Sequence, residues 1–277
     1  MFTRRQFLAS STAALPLALT SAEPRHIPIG LELYSVRNEL KSDLMGTLIN
    51  VAKLGYEVVE FYSPYFSWTA DYAREVKAQL DGLGMSCLST HNDSQALTEK
   101  GLPKAIELNR ILGSKYVVMA HPGAVKTLDD WKRVADTLNH SIEPLKAVGM
   151  RPGYHNHDLE FRELEGKRPI EIIASTEKAV GLQLDVGTCI QAGGDPVAYI
   201  RKHAGRLFSL HCKEYDPAKS YRVMVGEGVA PWKKIIDAAE KVGGVEFYLI
   251  EQEGADIAPI EAARQCLKNF KQIRGEA

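Results

Sequence analysis

From Ile29 onward, short runs of branched and aromatic residues alternate with longer segments in which apolar residues recur at helical spacing. This alternation predicts parallel strands joined by crossover helices. Eight strands are predicted, over residues 29–34, 57–61, 85–91, 116–121, 150–157, 181–185, 207–213 and 247–251. Helices are predicted between them, among others over 44–54, 72–83, 128–148, 232–242 and 259–273.

The predicted strands recur about every 31 residues, which is the size of one strand–helix unit. Eight such units over residues 23–277 predict a single α/β domain, a (β/α)8 or TIM barrel. A doubly wound sheet is the alternative, but residues 33–37 after the first strand read Leu-Tyr-Ser-Val-Arg and lack a glycine-rich phosphate loop. The wide gap between His211 and Glu251 leaves room for an extra loop, residues 214–231, over one mouth of the barrel.

The first 22 residues have a different pattern. Arg4 and Arg5 precede an uncharged stretch, residues 9–22, that ends in the small residues Thr-Ser-Ala. This pattern predicts a twin-arginine export signal and a periplasmic or exported protein without stable membrane association after cleavage. A short N-terminal membrane anchor is the alternative, although the stretch is short and rich in Ser, Thr and Ala.

The composition favours a small-molecule role. The chain has 277 residues, of which 45% are hydrophobic and 25% charged, as in globular proteins. Because 34 Lys and Arg face 35 Asp and Glu, no basic excess is available for nucleic acid. The four cysteines match neither a zinc motif nor a disulfide framework and are predicted to be buried. The sequence is compatible with either a monomer or a homo-oligomer.

Polar residues occupy the ends of several apolar runs. Charged or imidazole side chains end five of these apolar runs: Glu60, His121, Asp185, His211 and Glu251. Five of the eight histidines lie at predicted strand ends: His91, His121, His155, His157 and His211. In a parallel barrel the C-terminal strand ends carry the active site, so these side chains are expected to converge.

Strand alternation selects among these residues. Side chains two positions apart share a face, so His211 and Lys213 point into the barrel while Cys212 packs outward. The predicted metal ligands are His155, Asp185, His211 and Glu251, and the predicted substrate contacts are Glu60, His91 and His121. Imidazole and carboxylate ligands together suit one Mn, Fe, Co or Zn ion better than Ca.

Structural interpretations of single residues stay open. A histidine at a strand end is often a hydrogen-bonded structural residue, and Asp185 could cap the turn before Val186. The role of Glu160 is ambiguous. Aromatic residues near the mouth, Tyr34, Phe66 and Trp68, either line a sugar pocket or belong to the core.

At these residues the chain resembles the sugar phosphate isomerase/epimerase family of xylose-isomerase-like barrels, which also includes endonuclease IV. Six motifs carry the resemblance: Leu-Gly-Tyr-Glu-Val-Val-Glu at 54–60, Tyr-His-Asn-His-Asp-Leu-Glu-Phe at 154–161, Leu-Gln-Leu-Asp-Val-Gly at 182–187, Leu-His-Cys-Lys at 210–213, Val-Gly-Glu-Gly at 225–228 and Leu-Ile-Glu-Gln-Glu at 249–253. Together they span most of the chain.

The resemblance implies a metal held by a Glu, an Asp, a His and a Glu after strands five to eight. It carries over Asp185, His211 and Glu251, whereas the strand-five Glu is missing and His155 or His157 stands in its place. An epimerisation in which two carboxylates act as acid and base would therefore lack one of these carboxylates in this chain. Endonuclease IV members hold three zinc ions on many more ligands than this chain offers, which argues against that branch of the family.

The resemblance also implies proton removal from a carbon next to a carbonyl of a carbohydrate. Glu251 is the expected base, Lys213 the hydrogen-bond donor to the oxygen that gains charge, and His157 the second acid or base. If the proton returns to the substrate, the reaction is an isomerisation or epimerisation. If a group on the β carbon leaves instead, the protein is a 3-keto-glycoside lyase or hydrolase. A non-catalytic periplasmic sugar-binding protein is the alternative from another class.

Overall fold

In the computed structural model, which describes residues 26–276, eight parallel strands close into one barrel in chain order. Each strand pairs with the next, and the last pairs with the first, so the sheet has no open edge. The strands are β1 Ile29–Glu32, β2 Val58–Phe61, β3 Ser86–Asp93, β4 Tyr116–His121, β5 Arg151–His155, β6 Gly181–Asp185, β7 Leu207–Cys212 and β8 Phe247–Ile250. The predicted TIM barrel is confirmed, and the predicted signal over residues 1–22 lies outside the described residues.

Helices follow the strands and surround the barrel. They are α1 Arg37–Ser42, α2 Leu44–Leu54, α3 Ala70–Gly82, α4 Leu102–Leu112, α5 Leu128–His140, α6 Ile142–Lys146, α7 Pro169–Ala174, α8 Val186–Gln191, α9 Pro196–Lys202, α10 Trp232–Ala238 and α11 Pro259–Arg274. Short 3-10 turns cover Leu33–Val36, Ser63–Ser67, Ser94–Leu97 and Leu159–Phe161. None of the helices between residues 26 and 276 has the length and apolar character needed to cross a membrane.

Several predicted boundaries were wrong for identifiable reasons. The first strand ends at Glu32 rather than residue 34, because the Glu32 carboxylate accepts a hydrogen bond from Tyr34 N and caps a 3-10 turn. The helix predicted over 128–148 breaks at Ser141, since Pro144 has no N–H to donate to the carbonyl one turn earlier. The helix predicted over 232–242 becomes a π-turn over Ala239–Gly243. Strand β3 continues to Asp93, which places His91 inside the strand.

An apolar layer fills the barrel interior. Six residues form this inner cluster: Val58, Tyr116, Val118, Phe208, Phe247 and Leu249. The Tyr116 and Phe208 rings stack with centroids 3.9 Å apart. A Cβ at Gly181 would lie 2.5 Å from the Phe208 ring, so glycine is required where this ring crosses β6.

A bulge on β7 connects this layer with the polar end of the barrel. Neighbouring residues Leu182 and Gln183 pair with Leu207 and Ser209, which leaves Phe208 as the extra residue. Strict alternation would place Phe208 and His211 on opposite faces. Because of the bulge, Phe208 packs in the inner cluster and His211 still joins the buried polar residues at the C-terminal end.

Candidate metal centre

Four side chains converge at the C-terminal mouth. Asp185 and His155 are the last residues of β6 and β5, His211 lies near the end of β7, and Glu251 follows β8. Each offers one ligand atom, these atoms all lie within 4.8 Å of one another, and all four residues are buried. The structure therefore brings together all four ligands predicted from the sequence, and we refer to them as the quartet.

Asp185 caps a helix and also lies among the four converging side chains. Its Oδ1 accepts a hydrogen bond of 2.9 Å from Thr188 N and caps α8. Its Oδ2 faces the quartet, 3.9 Å from His155 Nε2. Asn156 fixes this strand end, because its Oδ1 accepts a 3.1 Å hydrogen bond from Asp185 N. The carboxylate is thus held in one orientation, with Oδ2 directed toward the mouth.

His211 is held from both ring nitrogens. Nδ1 lies 2.6 Å from Glu251 Oε2, and Nε2 lies 2.8 Å from Glu60 Oε2. Burial lowers the pKa of His211, but the hydrogen bonds with the two carboxylates raise it to about 9. A carboxylate on one imidazole nitrogen is the usual way to orient a histidine whose other nitrogen binds a metal.

Glu60 and His91 were predicted as substrate contacts, and in the structure both lie in a buried hydrogen-bond network inside the barrel. Glu60 is completely buried, and its Oε1 accepts a 3.0 Å hydrogen bond from Gln183 Nε2. His91 Nε2 lies 3.0 Å from Glu60 Oε2 and 2.7 Å from Gln183 Oε1. Because these contacts engage both Glu60 oxygens, its geometry suits a positioning role on His211.

Lys213 is buried beside the quartet. Its Nζ lies 3.0 Å from Glu251 Oε1 and 3.5 Å from Asp185 Oδ2. The carboxyl of Glu253 is a third partner at 2.5 Å. Burial lowers the pKa of Lys213, yet the surrounding carboxylates more than offset this and keep the ammonium charged. Glu253 would still hold the ammonium if Asp185 and Glu251 were ligands of a metal.

The quartet fits a divalent metal by two observations. His155 is 2% exposed, and its Nδ1 has no hydrogen-bond partner among residues 26–276. Burial and the neighbouring His211 hold the pKa of His155 well below its usual range, so the ring is neutral. Two imidazoles and two carboxylates form a nitrogen–oxygen donor set typical of Zn, Mn, Fe or Co.

His157 lies outside the quartet, although it shares the mouth. Its ring stacks on His121 with centroids 5.5 Å apart and lies 5.0 Å from the His155 ring. Burial and the nearby Lys213 lower the pKa of His157 to about 3. His121 itself is exposed on the rim. The two rings thus form an imidazole pair at the mouth.

Glu160, ambiguous in the sequence, has a structural function. Its carboxylate accepts hydrogen bonds from the Tyr154 hydroxyl at 2.6 Å and from His157 N at 3.0 Å. Both contacts lie within the segment that follows β5. Glu160 therefore fixes the backbone that presents His157.

Sequence reasoning missed Glu32 and Glu253 as members of the buried network. Glu32 pairs in register with Glu60, is 1% exposed and has an unpartnered Oε2 within the described residues. Burial and the Glu60 charge raise its pKa well above the usual value. An earlier end for β1 would have revealed Glu32 as another polar residue at a strand end.

The loop over residues 214–231 is anchored by one buried carboxylate. Glu214 is 2% exposed and accepts hydrogen bonds from Gly226 N at 2.8 Å and from Trp232 Nε1 at 2.6 Å. Its other oxygen accepts from Tyr215 N and from Ala230 N. The same loop places the Tyr221 ring 4.8 Å from Lys213 Nζ. Glu214 thus fixes the cover of the mouth.

Replacing Glu214 by glutamine is expected to lower the free energy of unfolding by roughly 1.5–3 kcal/mol, since the charged acceptor is lost and the two donors to one of its oxygens remain unpaired. Urea unfolding measures this change, and Trp232 fluorescence reports the loop itself. The exposed Glu163→Gln variant is the control and should stay within about 0.5 kcal/mol. Equal stability of both variants and an unchanged Trp232 signal would show that other contacts hold the loop.

The fold and these residues define a barrel protein with a buried imidazole–carboxylate centre at its C-terminal mouth. The chain belongs to the xylose isomerase-like TIM barrel family, whose profile matches residues 48–273. This confirms the xylose-isomerase-like family that the sequence motifs indicated.

Two curated relatives align with much of the chain. Rhizopine catabolism protein MocC of Rhizobium meliloti is 29% identical over 218 residues, which cover 67% of this chain and 66% of that protein. Inosose dehydratase of Lacticaseibacillus casei is 23% identical over 205 residues, which cover 62% of this chain and 69% of that enzyme. The chain thus spans about two thirds of the length of these relatives.

Two solved structures share the fold. A sugar phosphate isomerase/epimerase from Parabacteroides distasonis ATCC 8503 has a TM-score of 0.75 at 23% identity, with 92% of this chain and 97% of that chain covered. A xylose isomerase-like TIM barrel protein from Mycobacterium smegmatis in complex with magnesium has a TM-score of 0.70 at 14% identity, with 91% and 98% covered.

Proposed function

We propose that the protein is a carbohydrate-converting enzyme of the isomerase/epimerase type that holds one divalent metal ion on the quartet. The carrying observation is that four buried ligand atoms lie within 4.8 Å of one another beside a charged lysine. A bound metal would polarise a carbonyl of the substrate and lower the cost of removing a proton from the adjacent carbon.

Three residues of the chain supply the remaining chemistry. Glu251, which lies within hydrogen-bond distance of Lys213 and His211, accepts the proton from the substrate carbon. Lys213 donates a hydrogen bond to the substrate oxygen that gains charge. His157, a neutral imidazole at the mouth, returns or accepts the second proton. Glu60 and Glu160 act as positioning residues for His211 and His157.

Solvent deuterium tests this reaction. The full chain is incubated in D2O with candidate ketoses and aldoses, with and without chelator, and products are followed by NMR and mass spectrometry. An isomerase or epimerase incorporates deuterium at one carbon only when metal is present. Return of every sugar unchanged, with tight binding that needs no metal, would instead identify a sugar-binding protein.

Elimination is the second candidate reaction. His155 stands where an epimerase of the family would have its strand-five carboxylate, and two relatives from Lacticaseibacillus casei and Clostridium beijerinckii are named inosose dehydratases. After proton removal by Glu251, departure of a β-carbon substituent would leave a double bond, and the substituent would take up a proton. Release of water from an inosose or of an alcohol from a 3-keto-glycoside, in place of deuterium exchange alone, would favour this reaction.

We further propose that the protein is exported by the twin-arginine route, on the basis of Arg4 and Arg5 before an uncharged stretch. Replacing both arginines by lysine is expected to leave the full-length protein in the cytoplasm, since this route depends on the arginine pair. Immunoblots of periplasmic and cytoplasmic fractions measure the change, with Arg25→Lys as the control. Normal export of the Arg4→Lys/Arg5→Lys double variant would contradict the proposal.

A further inference from the structure

A groove of about 740 Å³ opens beside the mouth, between the segments that follow β1 and β2. Such volumes are typical of small-molecule sites. One wall is aromatic and the other is mixed, with lining residues that include Phe61, Tyr62, Tyr65, Trp68 and Tyr72 opposite Lys41, Asp43 and Met45. Because segments after barrel strands lie at the C-terminal face, the groove and the quartet share one end of the barrel.

Trp68 lies at the centre of the aromatic wall. Its ring packs edge to face against Phe61 at 5.0 Å and against Tyr72 at 5.3 Å between centroids. It is half-buried, so part of the indole remains open to the groove. Neighbouring rings therefore hold Trp68 rigidly without covering it.

The aromatic wall also has unused hydrogen-bonding capacity. The hydroxyls of Tyr62 and Tyr72 and the indole N–H of Trp68 have no protein partner among residues 26–276, whereas the Tyr65 hydroxyl donates to Asn92 Oδ1 at 2.6 Å. Flat apolar surfaces with polar groups at their edges suit a ring that has apolar C–H faces and hydroxyl substituents. The groove thus has the chemistry of a carbohydrate or aryl-glycoside subsite.

Tyr62 is the groove residue that lies near the mouth. Tyr62 follows Glu60 by two residues, which is about 6–7 Å along the chain. Glu60 in turn contacts His211 of the quartet at 2.8 Å. On the mouth side, the Tyr62 ring packs against Tyr34 at 5.4 Å. Tyr62 therefore links the groove to the residues around the quartet.

We propose that this groove is a subsite for a second ring of the substrate, which makes the substrate a glycoside rather than a free monosaccharide. The inference rests on the proposed function, because it takes the quartet as the position of the reacting ring. Trp68 supplies the stacking surface, and Tyr62 forms the wall between the two rings.

Isothermal titration of the metal-loaded full chain tests the subsite without requiring turnover. The probes are the α and β anomers of phenyl D-glucopyranoside, with D-glucose as the single-ring reference. At least one phenyl glucoside is expected to bind tenfold or more tightly than glucose, and Trp68→Ala should abolish this preference without changing glucose affinity. Phe66→Ala is the matched control, since Phe66 belongs to the 3-10 turn that ends immediately before Trp68 but does not line the groove.

A second variant fills the groove and leaves its aromatic wall intact. Met45 lines the opposite wall and is half-buried on α2, so Met45→Trp should remove the phenyl glucoside preference as Trp68→Ala does. Equal affinity of the wild type for glucose and both phenyl glucosides, or an unchanged preference in Met45→Trp, would overturn the subsite. A failure of the proposed reaction would instead appear as absent metal-dependent deuterium exchange, which these titrations do not measure.

Discussion

Replacing His211 by alanine is expected to reduce the metal content of the purified protein from about one equivalent per chain to nearly none and to abolish turnover. A lost ligand should weaken metal affinity by more than the 10- to 100-fold typical of an outer partner. Elemental analysis after dialysis measures the content, and titration of the metal-free protein measures the affinity.

His211→Ala also leaves Glu60 and Glu251 buried without their shared partner, so its folding must be checked separately. Asp185→Asn provides a milder variant, because the amide oxygen can still cap α8 through Thr188 N while the metal-binding charge is lost. The exposed His140→Ala on α5 is the matched control for loss of a histidine. Wild-type protein that is fully active without metal, or metal content unaffected in both quartet variants, would contradict the metal centre.

Replacement of His155 or of His157 is expected to give the second large effect. His155→Ala is expected to lose metal and activity together, since His155 contributes a quartet ligand. His157→Ala should keep the metal and lose turnover by roughly 10²- to 10⁴-fold, as for removal of a general acid or base. Metal analysis and kcat on the two purified variants therefore separate a ligand from an acid–base group.

The geometry explains why the two residues should not exchange roles. Their ring centroids lie 5.0 Å apart, and His157 stacks on the exposed His121 rather than on the quartet. His121→Ala is a useful comparison, because it removes this stacking partner and leaves the quartet intact. If His157→Ala loses the metal while His155→Ala retains it, the assigned roles are reversed.

Much of the fold followed from the sequence because each unit combines a short apolar strand with a helical segment of regular spacing. All eight predicted strands are within two residues of the observed bounds at both ends, including exact matches for β4 and β6. Boundary errors occurred where a side chain or a proline overrode the pattern, as Glu32 and Pro144 did. A capping side chain or a missing N–H donor does not change the spacing of hydrophobic residues, so the hydrophobic pattern did not reveal these boundaries.

The convergence of His155, Asp185, His211 and Glu251 was determined by sequence alone, since strand alternation and a closed parallel barrel leave their strand ends only one common meeting place. Only the tertiary structure showed how these residues are held. Glu60 contacts His211 across 151 residues of sequence, and Lys213 shares three carboxylates from two neighbouring segments. A repeating pattern fixes the direction in which a side chain points, whereas its partners depend on distances between strands far apart in the chain.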